Sequence, residues 1–238
     1  MKLHHQLLSL PIALLFALFA LAQTPPTESK PLEKKPADST AAENKTPEKK
    51  PAETYQSLVE RLNKNDRTVD FRQLRVAYAE RPDFFPYGSD REGRQKMFAA
   101  LNEKKFEQAA ELAEKILKDK FIDVYAQFAA ARAYEGLGKA DKSDFHDFAF
   151  DGLIKSIMGT GDGKTPETAF FVIAVDEEYT LLNVMGFDVK GQSLIRKDGH
   201  SYDLMRVVDS KTGKEAEFYF NIDTVFGQTN KFLKGKDK

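Results

Sequence analysis

The sequence predicts an α+β protein: an N-terminal helical array packed on a small, mostly antiparallel four-stranded sheet that carries one further helix. Three observations carry this reading. Between Tyr55 and Ile157 apolar residues recur at intervals of three and four, the period of a helix face. In the last strand pattern, Ala216, Phe218, Phe220 and Ile222 alternate with Glu217, Tyr219 and Asn221, the period of a half-buried strand. Between these regimes the stretch Ile157 to Tyr179, IMGTGDGKTPETAFFVIAVDEEY, turns through three glycines and opens a continuous apolar run.

Composition bounds the chemistry. The 238 residues suffice for a substantial core. The 36 basic and 37 acidic side chains nearly cancel, so no global field points to nucleic acid or to a membrane surface. There is no cysteine, which excludes thiol catalysis, thiolate metal sites and disulfides. Such a chain depends on packing, which its 19 phenylalanines can supply.

Residues 1–22 have the parts of a secretory signal: Lys2, an apolar run from Leu7 to about Leu21, and the small residues Ala20 and Ala22. The expectation is cleavage before Gln23, export to the periplasm or the medium, and no stable membrane span afterwards. Residues 23–54 repeat Pro, Lys, Glu, Thr and Ala, and bury too little apolar surface to offset chain entropy, so a disordered linker is expected. Residues 227–238 carry four lysines and read as a flexible basic tail.

The helical region is placed at residues 55–159. Tyr55, Leu58, Val59 and Leu62 form one stripe, with Thr54 as cap; Phe71, Leu74, Arg75 and Tyr78 form a second. Four helices follow, over Arg91–Lys104, Phe106–Lys118, Ile122–Leu137 and Asp141–Ile157. KKFEQAAELAEKIL and AARAYEGLGKADKS resemble parts of tetratricopeptide repeats, and aligning their turns pairs Lys104 with Gly138, a spacing of 34 residues, the period of that repeat. The resemblance implies helical hairpins with a concave surface for a peptide or helix.

The sheet region is placed at residues 160–226. Ala169–Val175 is expected to be a strand covered on both faces, followed by a helix capped by Asp176 with Tyr179, Leu182 and Met185 facing inward. Three more strands are expected over Phe187–Arg196, His200–Val208 and Lys214–Ile222, joined by Lys197-Asp198-Gly199 and Ser210-Lys211-Thr212-Gly213. Taken in order, TVDFRQLR (Thr68–Arg75), GDGKTPETAF (Gly161–Phe170), EEY (Glu177–Tyr179), GQSL (Gly191–Leu194) and YFNID (Tyr219–Asp223) resemble a family of exported bacterial proteins known only as a domain of unknown function. That resemblance implies one integrated unit, and brings no activity, cofactor or catalytic residue with it.

GDGKT is not a phosphate loop. Met158 stands where the motif needs its first glycine, and a helix precedes the loop where a strand should. No nucleotide, cofactor or metal is therefore expected, and no catalytic residue is assigned. Outside the leader only His146 and His200 remain. His146, flanked by Asp144 and Asp147, reads as a polar-face histidine; His200 follows a turn and shares a strand face with Tyr202, while Asp203 points the other way.

The first expectation is a non-enzymatic module of the cell envelope that binds a protein or peptide on the helical face of Tyr125, Phe128 and Arg132. The alternative is an envelope hydrolase or small-ligand sensor at the glycine loop. Its polar groups would be drawn from Asp162, Lys164, Glu167, Glu178, His200 and Tyr202.

Overall fold

The computed structural model describes residues 53–87, 90–227 and 229; the expected leader lies outside them, as do nearly all of the expected linker and most of the tail. Four of the helices begin where a side chain offers an oxygen to the free amides of the first turn. Thr54 accepts from the Ser57 amide ahead of α1 (Tyr55–Asn63), and Asp70 from those of Arg72 and Gln73 ahead of α2 (Phe71–Ala79). Asp90 accepts from Gly93 ahead of α3 (Arg91–Asn102), and Asp123 from Ala126 ahead of α5 (Val124–Gly136). Between these lie α4 (Phe106–Asp119) and, after α5, the long α6 (Ala140–Met158). Lys104 and Gly138, the two aligned turn positions, both adopt left-handed backbone, at φ 57° and 68°. In each turn two amides reach back to the carbonyls of the ending helix, so α3–α4 and α5–α6 are joined by turns of the same kind.

The chain leaves α6 through a 3-10 turn (Pro166–Thr168) into β1 (Phe170–Phe171), α7 (Val175–Val184), β2 (Phe187–Lys197), β3 (His200–Asp209) and β4 (Glu215–Asn221). The sheet order is β1-β4-β3-β2, antiparallel except for the parallel β1–β4 pair. Two expectations need correction. The apolar run from Ala169 is a strand for two residues only. After Phe171 it enters the core between helices and sheet, where Val172 and Ile173 are fully buried and the Ile173 amide bonds to Glu177 rather than to a strand. Asp176 is not the cap of α7. Ala174 holds that position, and Asp176, Glu177 and Glu178 fill the first turn.

One apolar cluster gathers Leu58, Leu62, Leu74, Leu153 and Ile157 with Phe170, Leu181, Leu182, Met205 and Phe220, so it runs from α1, α2 and α6 through α7 into the sheet. A second binds α3, α4 and α5 through Met97, Ala113, Ala130 and Tyr134. Register puts Asp203, Met205 and Val207 on the same face of β3 as Phe220, Phe218 and Ala216 of β4, the face that looks into the core.

Inside the first cluster lies an ion pair. Arg75, fully buried, donates from Nε and Nη2 to the two Glu177 oxygens at 2.7 and 2.6 Å, from Nη2 to the Phe171 carbonyl, and from Nη1 to Ser156. Removing one partner of such a pair strands a buried charge, at a cost of about 3–5 kcal/mol. We predict a loss of that order for Arg75→Ala in urea unfolding, and a double variant with Glu177→Gln that loses less than the sum of the two single losses. Strict additivity would refute the pairing.

Candidate functional site

α7 is built so that four consecutive side chains leave it in four directions, as the 100° step of a helix requires. Asp176 meets Arg94 of α3 at 2.5 Å and Lys120 at 3.7 Å. Arg94 is shared with Asp123 at 2.6 Å. Burial favours the neutral form of Asp176, but the two cations hold it below the usual carboxylate range. Glu177 takes Arg75. Glu178 turns toward the sheet, and Tyr179 toward solvent, with 41% of its surface exposed.

Glu178 is fully buried and neither carboxyl oxygen meets a donor. Its polar neighbour is Asp203, itself buried on the core face of β3, and two carboxyls satisfy one another only by sharing a proton. Burial first, and then the charges of Asp203 and Glu177, push Glu178 up to about 9, so it is neutral at pH 7. Burial also raises Asp203, against the pull of the Gln192 amide, which donates to it at 2.6 Å. Gln192 in turn accepts from the Tyr179 hydroxyl at 2.9 Å. Glu178, Leu181, Leu182 and Met185 are the inward stripe; the expected stripe through Tyr179 is one residue out of register.

Beside Tyr179 lies an open cleft of about 710 Å³. One wall is a face of α3, where Arg91, Arg94, Gln95, Phe98, Ala99 and Asn102 follow at helical spacing; the other is Val175, Asp176 and Tyr179, with Tyr87 at the rim. Tyr125 of α5 adjoins it from beneath, edge-on to Phe98 at 6.1 Å and under the Arg94 guanidinium at 4.9 Å. The rest of the expected helical face is engaged elsewhere. Phe128 packs on Phe150, and Arg132 is held by Asp147 and Glu135.

The glycine loop is closed on itself. Asp162 accepts from the Thr168 hydroxyl and the Lys164 amide, and Lys164 reaches Asp162 at 3.4 Å. Thr165 and Thr168 cap each other. Lys197 pairs with Glu167 and holds it at about 2. Gly163, at φ 70°, gives its carbonyl to the Tyr219 amide, and a Cβ there would meet the Phe170 ring at 2.5 Å. These groups dock the loop on β4. Lys197 stands directly opposite His200 in the β2–β3 register, so His200 lies at the same end of the sheet; it bonds Asp223 at 2.6 Å, and Tyr202, on His200's face of β3, is buried. Asp162, Lys164 and Glu167 are thus gathered in one loop, with His200 beyond Lys197 at the same end of the sheet but bonded to Asp223, whereas Glu178 sits apart in the core.

His146 is corrected from a polar-face residue to a buried one. Its Nδ1 lies 2.7 Å from Gln127 Oε1, its ring stacks on Tyr134, and its Nε2 faces Glu114 at 3.5 Å beside a second cleft of about 670 Å³. Among the described residues no group of three or more His, Asp or Glu could hold a metal ion, and no helix is long and apolar enough to cross a membrane.

No curated protein and no solved structure matches the chain. A family model described as "Domain of unknown function (DUF4919)" matches residues 42–231.

The carboxyl pair has a pH signature. Glu178 has an ordinary value of 4.5 unfolded and about 9 folded, so between these the folded chain binds the extra proton and stability falls as pH rises. The slope is at most about 1.4 kcal/mol per pH unit. Glu178→Gln, whose amide can donate to Asp203, is predicted to remove most of this slope and to unfold at higher urea than the native chain at pH 8, with a smaller difference at pH 5. Parallel pH profiles for the two proteins would contradict the buried neutral carboxyl.

Proposed function

The chain belongs to that family of unknown function, and we propose that it is an exported, non-enzymatic binding module of the periplasm or medium. Its binding site is the cleft between α3 and α7, and its partner is a protein or peptide of the cell envelope. One observation carries this reading. α3 buries Met97 and Ala100 against α4 and α5, yet leaves a second, continuous face of arginine, amide and aromatic groups open to the cleft. Side chains that serve only solubility do not need a concave, aromatic-lined setting, whereas recognition sites are built from such groups.

The helical hairpins support the reading as well, since stacked hairpins present the first helix of each pair, here α3 and α5, along one surface. The proposed partner site moves accordingly from α5 to α3: Tyr125 supports it from beneath through Phe98 and Arg94, and Phe128 and Arg132 fall outside. The alternative, a hydrolase or ligand sensor at the glycine loop, draws less support, because Asp162, Glu167 and Lys164 are already tied to their neighbours.

The test is site-specific photo-crosslinking in the host. A benzophenone side chain at Gln95 is expected to give one dominant adduct, suppressed when Ala99→Trp fills the cleft; the same probe at Lys164 is expected to give none. Adducts at Lys164 and none at Gln95 would overturn the proposal in favour of the loop.

A further inference from the structure

Resting on that reading of the cleft, we infer that its occupant is an extended peptide segment with an acidic group, seated with its backbone on Gln95 and Asn102 and its carboxylate on Arg91. Most charges in and around the cleft are matched within the protein. Arg94 and Lys120 are matched by Asp123 and Asp176 within ion pairs of 2.5–3.7 Å. On the neighbouring face of α3, Glu92 and Lys96 match each other at 2.6 Å. Arg91 is in no ion pair among the described residues, and stands exposed at the cleft wall. Among the described residues Arg91 is thus the lining charge left without an ion pair, the exposed Asp90 before it lying outside the lining and turned to the Gly93 amide, and its complement is a single anionic group.

The neutral groups specify the rest. Gln95 and Asn102 have no hydrogen-bond partner among the described residues, and each offers a donor and an acceptor. Seven residues of helix separate them by about 10.5 Å, the length of roughly three residues of extended chain. A peptide lying along α3 can therefore pair its backbone at both amides without bending. Tyr87, Phe98 and Tyr179 stand around the cleft as ring surfaces for its apolar side chains. Phe98 lies between the two amides in sequence, so the apolar contact falls between the backbone contacts. The floor does not have to form on binding, because Asp176 and Arg94 already fix α7 against α3. An extended strand with alternating apolar residues and an acid near the Arg91 end fits these groups. A helix docked there would turn its own backbone away from both amides.

A random heptapeptide library displayed on phage, selected on the purified protein, tests this directly. The expected result is enrichment of Asp or Glu together with spaced apolar residues, and loss of all selection on Ala99→Trp. On Arg91→Glu the enrichment is expected to shift to Lys and Arg. That variant alters an exposed side chain without an ion pair, so it leaves folding intact. Replacing the acid of a selected peptide by its amide is expected to weaken binding about fivefold, the effect of one partly exposed ion pair. An acidic preference that persists on Arg91→Glu, or selected peptides with no acidic excess, would overturn the inference. So would a failure to select any peptide while the Gln95 probe still captures a partner; in each of these cases the cleft itself stands as a binding site. Neither selection nor capture would remove the site together with its occupant.

Discussion

Everything that α7 does depends on the pair formed by Arg75 and Glu177. Arg75 spends its guanidinium on three elements at once: both Glu177 oxygens, the Phe171 carbonyl and the Ser156 hydroxyl. A lysine could not do so, because only the planar fork gives two parallel bonds to a carboxylate and keeps a further donor for a carbonyl. Glu177 then returns a bond to the Ile173 amide, which fixes the entry of the chain into the helix. With Glu177 aimed at α2, helical geometry leaves no freedom for its neighbours. Asp176 must face α3, Glu178 the sheet, and Tyr179 the cleft.

Buried ions of this kind add little net stability, since desolvation takes back most of what pairing gives. Their effect here lies in the alternatives they forbid. An apolar helix seated by Leu181 and Leu182 alone could rotate by a fraction of a turn at small cost. Rotation of α7 would break Glu177 from Arg75, leaving a buried arginine without its carboxylate, and would part Asp176 from Arg94, which keeps Asp123. Glu178, buried beside Asp203, works in the same direction from the sheet side, since rotation would carry it away from the core face of β3. Asp176 and Glu177 in the first turn also favour the positive end of the helix dipole, but each has a cationic partner that outweighs this.

Helix positions and the last three strands were legible in the sequence because their periods extend over seven residues or more and many of their ends carry Thr, Asp or Gly in the right places. What was not legible depended on long-range partners. Arg75 stands in the apolar stripe of α2, but its spacing alone does not distinguish a buried cation from a helix-edge residue. Only the presence of Glu177, 102 positions later, makes the buried place tenable. The stripe of α7 was misplaced because Tyr179 looks apolar and Glu178 does not, whereas Glu178 has the correct spacing to Leu181, Leu182 and Met185. In β3 the parity of Asp203 with Met205 and Val207 was visible and marks it as inward; two carboxyls on two inward faces are a readable sign of a pair. His146 gave no comparable sign, since Gln127, Tyr134 and Glu114 come to it from two other helices.

The cleft was illegible for a related reason. Arg91, Gln95, Phe98 and Asn102 read in sequence as an ordinary solvent face of an amphipathic helix, and nothing local says that another element stands opposite. That element is α7, brought there by a pair of ions in the core. The wall of the cleft and the interior of the protein are thus one piece of mechanics: Asp176 is both the anchor of α7 on α3 and part of the cleft floor. A cleft floor held by an ion pair that also seats a core helix is fixed in place. Under the proposed reading, a partner would meet a floor already formed, which lowers the ordering cost of binding.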